Sequence, residues 1–497
     1  MCQFRPTAIV FALTAAFCLV VLPEWSACAE SEPIDIQGWQ DVFAYEYDYA
    51  LTEPAGLDRE FEPVEVTLSV PDAGIEGWWE HLRVARLEPG AIDAGEGSPC
   101  MARVVPHDVV GRAVYVPPAV QDPRPPAPAQ SVNLVFLARC AARSDVVYRI
   151  FWGLAEGVEA LPAGVPAAEE SNGLRVAGEA PALSISNEHY AVQLDPGAGA
   201  ILTARLGTAT EGPQIVFRKM PIHFGTDVWS PPQGWDHDYD WKAPPNQRCE
   251  GGATAFRYHR WGPMQRYRDV TTSITYTFYA HVPYVHVSST MDFTEDRSAR
   301  MVRMGEIVVD HSAKPGSAQN EGETPPADVF SHYAWPDAAG AVVERDVMAS
   351  LDEEGWAALD GLARGALAIL ERDVPWVAAY DAERGYGMAT LRRAQFAGNR
   401  LGGPIPHSAP CTYLSNYGWG FTYWSRPMVA PLGQRQTPLD RNTAIAAGTL
   451  FATEEALLVF EPGNDGGPAQ ERLKEVTEAQ ARFVRPLRFV YKGTGPW

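Results

Sequence analysis

Apolar and polar positions alternate with a period of two along most of this chain, in short runs closed by Gly, Pro, Asn or Asp, which is the pattern of half-buried β-strands. Positions 61–70 set Val64, Val66, Leu68 and Val70 on one face, and runs at 81–87, 101–105, 132–137 and 146–152 continue the theme. Strand-length segments without a long helical period predict a small β-barrel or sandwich over 30–155. The proline-rich run 117–130 cannot be a central strand and is expected to be a surface loop. An Ala/Gly/Glu/Pro-rich linker is expected over 156–182, and a large antiparallel β-sandwich over 183–497. That second domain opens with a strand, a turn at 195–199 and a returning strand. Further on, Val270, Ile274, Tyr276 and Phe278 alternate with Thr271, Ser273, Thr275 and Thr277, as expected for a sheet with one wet face, and Val285, Val287 and Met291 take the inward positions of the next strand. More strands are expected at 301–310, 376–380, 387–392 and 457–461. Two helices are predicted. One starts at the capping box Ser350-Leu351-Asp352-Glu353 and runs to about Ile369; the other covers 469–483 through Leu473, Val476 and Ala479, before Pro486.

Composition narrows the function. The chain has 497 residues and a formal charge of −22, so a nucleic-acid partner, which needs a basic surface, is not expected. Only Lys219, Lys242, Lys314, Lys474 and Lys492 share the cationic work with arginine, the side chain that grips planar carboxylates with two parallel hydrogen bonds. Positions 1–29 read as an export signal: a basic start, an apolar run from Thr7 to Leu22 and an A-x-A site at Ala27-Cys28-Ala29. A lipoprotein reading of Cys28 is disfavoured by Trp25. The expected location is therefore secreted or periplasmic, without a membrane span. There the remaining cysteines, Cys100, Cys140, Cys249 and Cys411, are expected to pair as Cys100–Cys140 and Cys249–Cys411.

The chemistry concentrates at 223–269, which holds four Trp, three His and five Arg among glycines and prolines. Flat aromatic faces suit the C–H faces of a sugar ring, and planar polar groups suit its hydroxyl rim, so a saccharide is the expected ligand, and the arginines point to one that bears carboxylates. Trp229, Trp235, His237, Arg260, Trp261 and Arg266 are the expected substrate contacts here. A second aromatic cluster at 406–424 adds His407, Tyr417, Trp419 and Tyr423. Strand alternation over 256–261 places Arg257 and His259 on one face and Tyr258 and Arg260 on the other. The run 236–240 lacks the glycine and distal Glu of an EF-hand and is read first as a solvated acidic loop; if it is extended, Asp236, Asp238 and Asp240 share a side and offer three oxygen ligands to Ca²⁺ as the alternative. No nucleophile elbow, phosphate loop or dinucleotide fingerprint occurs in a strand-to-helix setting.

Two stretches carry a family resemblance. S-N-E-H-Y-A-V-Q-L-D-P-G-A-G-A-I-L at 186–202 resembles the opening of the large, galactose-mutarotase-like supersandwich of many polysaccharide lyases and sugar hydrolases. V-E-V-T-L-S-V-P at 64–71 and S-V-N-L-V-F-L-A-R at 131–139 look like the small barrel that precedes it in exo-rhamnogalacturonan lyase-like proteins. The helical toroid that follows the sandwich in that family is not expected within these 497 residues. The resemblance implies a mainly β fold and an acidic polysaccharide partner, and it carries over no catalytic residue.

For such a substrate the expected reaction is β-elimination, which needs a cation on the uronate carboxylate, a base and an acid. His259 is the expected base, Arg257 the neutraliser, and Tyr267 or Tyr258 the acid. A hydrolase on the same scaffold would instead need two carboxylates, drawn from Asp227, Asp236, Asp238 and Glu250. A non-catalytic glycan-binding protein is the third reading.

Overall fold

The computed structural model describes residues 31–491 apart from 71–80, 92–97, 116–128, 163–164, 167–172, 208–213, 217–222, 311–329, 347–356, 359–364, 371–372, 407–411, 418–420, 430–441 and 464–466. The signal segment, most of the proline-rich run and Cys411 lie outside the described residues.

The alternating runs of the N-terminal part become two sheets. Arg59–Val70, Ala129–Cys140 and His107–Tyr115 form a three-stranded sheet. A six-stranded sheet includes Arg83–Leu87, Met101–Val105, Phe43–Thr52 and Asp145–Leu154. Val64, Val66 and Leu68 meet Val84, Ile150 and Trp152 in the core between them. The chain returns to this module at its other end. Arg488–Tyr491 pairs with Phe43–Thr52, so the C-terminal segment belongs to the N-terminal sheet rather than to the sandwich that precedes it. Buried Arg59 fastens the return by donating to the carbonyls of Arg482 and Arg485 at 3.3 and 2.5 Å, while it is ion-paired with Glu53 and Glu62.

The expected linker contains a strand of its own. Arg175–Glu179 pairs with Ala182–Ser186 at the edge of a five-stranded sheet. The turn at 195–199 forms as read from the sequence: Asp195 Oδ2 accepts the Gly197 and Ala198 amides at 2.9 and 2.5 Å, and Gly199 takes the left-handed conformation (φ +71°).

Two larger sheets pack face to face as the sandwich. The nine-stranded one runs in the order Asn246–Gly251, Ala255–Pro263, Val270–Tyr279, Tyr284–Phe293, Thr449–Phe460, Tyr386–Asn399, Trp376–Asp381, His332–Pro336, Val342–Asp346. The seven-stranded one includes His223–Trp229, Trp235–His237 and Met301–Asp310. Val270 and Met291 of the first meet Val228, Val302 and Met304 of the second. Period-two alternation then leaves Ser273, Thr275, Ser288 and Thr290 half-buried on the outer face.

Two expectations are corrected. The capping-box helix is replaced, in the described part of 350–369, by strands Ala357–Ala358 and Gly365–Leu370; the latter pairs with Thr412–Tyr417, and sheet pairing overrides local helix propensity. Cys100 and Cys140 are free thiols, because Cys140 is buried in the core between the two N-terminal sheets and Cys100 packs on a different apolar cluster; Cys249 is free and exposed. The second predicted helix forms as Ala469–Arg472 and Lys474–Val484, burying Val476, Ala479 and Phe483. Among the described residues no helix is long and apolar enough to cross a membrane.

Candidate functional site

The outer face of the nine-stranded sheet carries the site. Cross-strand register lines up Arg248, His259, Thr275, Ser288 and Glu454 in one row, and Glu250, Arg257, Thr277 and His286 in the next. At the second row the N-terminal module leans over the sheet. Asp108 accepts the amides of Thr254 and Ala255 at 2.6 and 2.9 Å, and Arg257 Nη2 and Nη1 donate to Glu65 at 2.8 and 3.2 Å. Between module and sheet lies a cavity of about 480 Å³, to which Glu65, Ser131 and Asn133 contribute from the module and His259, Arg257 and Glu454 from the sheet.

Its electrostatics follow from partial burial next to guanidinium groups. Burial lowers the His259 pKa, and Arg257 and Arg248 push it further down, so the imidazole is neutral at neutral pH. Its Nε2 lies 2.8 Å from Ser273 Oγ, and its ring stacks on Trp261 at 4.3 Å. In the tautomer whose Nε2 donates to Ser273, Nδ1 keeps a free lone pair. His286 is held neutral more strongly: burial, with Arg393 and Arg257, takes it down to about 3, and its buried Nε2 has no hydrogen-bond partner. Arg248 pairs with Glu250 at the rim. The cavity thus offers two neutral imidazoles, two guanidiniums already facing carboxylates, and a floor of small hydroxyls.

The tyrosines expected to act as acids are elsewhere. Tyr258 and Tyr267 are fully buried. The Tyr258 hydroxyl donates to Gln247 at 3.0 Å on the inner side of the sheet, and that of Tyr267 donates to the Gly234 carbonyl at 2.6 Å. Burial raises the pKa of both. Arg260, expected at the substrate, is also in the core: it is ion-paired with Asp238 and donates to the carbonyls of Ala198 and Asp238 at 3.1 and 3.2 Å. Arg266 is exposed on a turn away from the cavity lining.

The calcium ligands do not assemble. The chain leaves the extended conformation at Asp238–Asp240, a single 3₁₀ turn, so the alternation that would align the three carboxylates ends there. Asp238 goes to Arg260, Asp236 accepts the Arg266 and Tyr267 amides at 2.5 and 3.0 Å, and Asp240 lies 3.1 Å from His237 Nδ1. Among the described residues no group of three His, Cys, Asp or Glu is disposed to hold a metal ion.

Trp229, Trp235 and His237 form a second cluster, on the seven-stranded sheet. Cross-strand register puts Arg303, Asp227 and His237 in one row and Trp229 beside Trp235. Trp229 stacks on Trp235 (5.2 Å), Trp235 on His237 (6.1 Å) and His237 on Tyr239 (4.6 Å). Arg300 and Arg303 lie over the Trp229 and Trp235 rings. Burial lifts the Asp227 pKa to about 7 against the pull of Arg303, and nearby Glu306 adds to the rise. Burial opposes charge on His237, but Asp227 and Asp240 outweigh it and raise its pKa to about 9.

His407 and Trp419 lie outside the described residues. Tyr417 and Tyr423 have only their backbone described, on paired strands Thr412–Tyr417 and Phe421–Val429. Sequence reasoning missed Glu65, Asn133, His286 and Glu454 at the cavity and Arg303 and Glu306 at the second cluster, the ladder of stacked rings from Trp229 to Tyr239. His286 was within reach, since alternation with Val285 and Val287 places it on the wet face. Glu65 and Asn133 were not, because nothing local says which sheet of another module they will face.

No family model and no curated protein matches the chain. Solved structures do. A glycosyl hydrolase family 38 protein from Enterococcus faecalis is 10% identical, with a TM-score of 0.44 over 92% of this chain and 49% of that one. An alpha-mannosidase from Enterococcus faecalis is 11% identical, with a TM-score of 0.45 over 90% of this chain and 46% of that one. A galactose mutarotase-like protein from Lactobacillus casei is 10% identical, with a TM-score of 0.31 over 56% of this chain and 99% of that one. The chain spans about half the length of the first two. None of the three is a rhamnogalacturonan lyase, and at these identities none speaks to activity.

Proposed function

We propose that this chain is an exported carbohydrate-active protein that holds a uronate-bearing saccharide in the cavity between its two β modules and cleaves it by β-elimination. The carrying observation is that Arg257 and His259 line one cavity, with His259 kept neutral by its surroundings. In this reading the uronate carboxylate sits against Arg257, in competition with Glu65. His259 removes the proton on the carbon next to that carboxylate; its electron pair becomes the new C=C bond, and the glycosidic C–O bond at the neighbouring carbon breaks. The leaving oxygen takes a proton from the imidazolium that His259 has become, or from water, since no tyrosine lines the cavity among the described residues and Glu65, Glu250 and Glu454 are ion-paired with Arg257, Arg248 and Arg393.

A hydrolase reading has one observation in its favour, the same three carboxylates around one cavity. Asp236 and Asp238, the acids expected for it, are committed to backbone amides and to Arg260. Incubation with rhamnogalacturonan, alginate and polygalacturonate separates the readings. Elimination gives the ultraviolet absorbance of an unsaturated uronate, which His259→Ala abolishes. Reducing ends without absorbance would replace elimination by hydrolysis, and retained binding without product would leave a glycan-binding protein.

A further inference from the structure

Along the strands, a third row of the same face follows the row that holds His259. Asn246, Trp261, Ser273, Thr290, Ala452 and Phe396 are successive cross-strand neighbours there. The middle of the row is small and hydroxylic, and its two sides are aromatic. Trp261 and Phe396 stand four inter-strand spacings apart, about 19 Å at the usual sheet geometry. Trp261 stacks on His259, so the row adjoins the cavity.

Phe396 is 55% exposed on a strand whose earlier residues, Tyr386 to Arg392, are buried. Its ring is laid down along the strand over Gly398, where an added Cβ would come within 2.6 Å of the ring edge. A glycine there lets the phenyl lie flat and present a face, and a single exposed ring beyond a hydroxyl floor is what a sugar's C–H face stacks on. The occupant must be polyhydroxylated, to use the floor, and extended, to reach from the cavity past Trp261 to Phe396.

We propose that the sheet face between Trp261 and Phe396 is a second saccharide subsite, taking the further units of a glycan chain whose reacting unit lies in the interdomain cavity. This rests on the cavity's being a uronate-saccharide site, and it makes the preferred ligand an oligomer several units long.

Calorimetric titration with oligogalacturonides of two to six units tests it. The hexamer is expected to bind at least tenfold tighter than the dimer. Phe396→Ala is expected to weaken the hexamer about tenfold and leave the dimer within twofold, as loss of one stacking contact implies. Gly398→Ala, which drives the ring off the sheet, is expected to act in the same selective way. Both sites are at a strand end where the Phe396 side chain is exposed, and circular dichroism is expected to match that of the parent. Equal affinity for dimer and hexamer, or a Phe396→Ala that costs both the same, overturns the subsite and leaves the cavity reading standing. Failure of every oligomer to bind overturns both.

Discussion

Two regions built from the same stretch of sequence have opposite fates. On the seven-stranded sheet, Trp229, Trp235, His237 and Tyr239 stack on one another, arginines cover the tryptophan faces, and Asp227 is fully buried against Arg303 and His237. On the nine-stranded sheet, Arg257 and His259 stand on a half-open face beside small hydroxyl residues. Tryptophan, histidine, arginine and acid occur in both. In the ladder these groups are turned toward each other and packed into the fold. On the open face they line a space. A ligand site is marked by the open space its polar groups face, more than by which residue types gather there or by whether each has a partner.

The largest effects break that comparison from the buried side. Arg260→Met, in the core, strands Asp238 as a buried unpaired charge and is expected to lower the unfolding free energy by about 3–5 kcal/mol in chemical denaturation. Arg257→Met, on the open face, removes a partly exposed pair with Glu65 and is expected to cost about 1 kcal/mol or less. If the two cost the same, the division into structural and functional arginines fails. His259→Ala is expected to lower the elimination rate by about 10²–10⁴-fold, as loss of a general base does, with little change in stability.

Much of this was legible in the sequence, and the failures share a cause. Alternation separated Arg257 and His259 from Tyr258 and Arg260, and the two sets do lie on opposite sides of the strand Ala255–Pro263. Alternation does not say which side faces the core. Tyr258 is tied to the inner side because it packs with Tyr276 and against Gly199, contacts about sixty residues away or fewer that have no local signature. The calcium reading failed at one 3₁₀ turn, Asp238–Asp240, which rotates carboxylates that an extended strand would have aligned. The return of Arg488–Tyr491 to the N-terminal sheet was out of reach for the same reason: a short strand records nothing of its partner.

The ladder makes a smaller prediction, with a sign that can be worked out. The folded pKa of His237 is raised from 6.5 to about 9, so its contribution is complete below about pH 6.5 and is lost as pH rises through about 9. Asp227 is raised from 3.8 to about 7, so its charging costs stability progressively as pH rises over that range. Both legs run the same way, and stability attributable to the ladder falls with rising pH. His237→Gln is expected to remove most of the fall between about pH 6.5 and 9, on the order of 3 kcal/mol at most from the size of the shift. Unfolding curves across that range with the same slope in parent and variant would dismiss the ion-paired ladder.

The smallest predicted effect tests the open face most finely. Ser273 Oγ, 2.8 Å from His259 Nε2, fixes the ring and its tautomer, while the Trp261 stack at 4.3 Å holds the ring's plane. Ser273→Ala removes the first restraint and keeps the second, so on a disaccharide, which does not reach the row between Trp261 and Phe396, the loss is expected in kcat, about three- to tenfold, with KM nearly unchanged, because there Ser273 acts by orienting the base. The pH profile carries the sharper reading. A base that must be neutral to act gives a rate that rises with pH through its own pKa, and burial with two nearby guanidiniums places that of His259 below 6.5. The rising limb of kcat/KM should therefore lie on the acid side of 6.5 in the parent and move in Ser273→Ala, since the serine's hydrogen bond is removed from one protonation state more than the other. A limb that stays put in Ser273→Ala would detach His259 from the proton transfer, whatever the size of the rate loss.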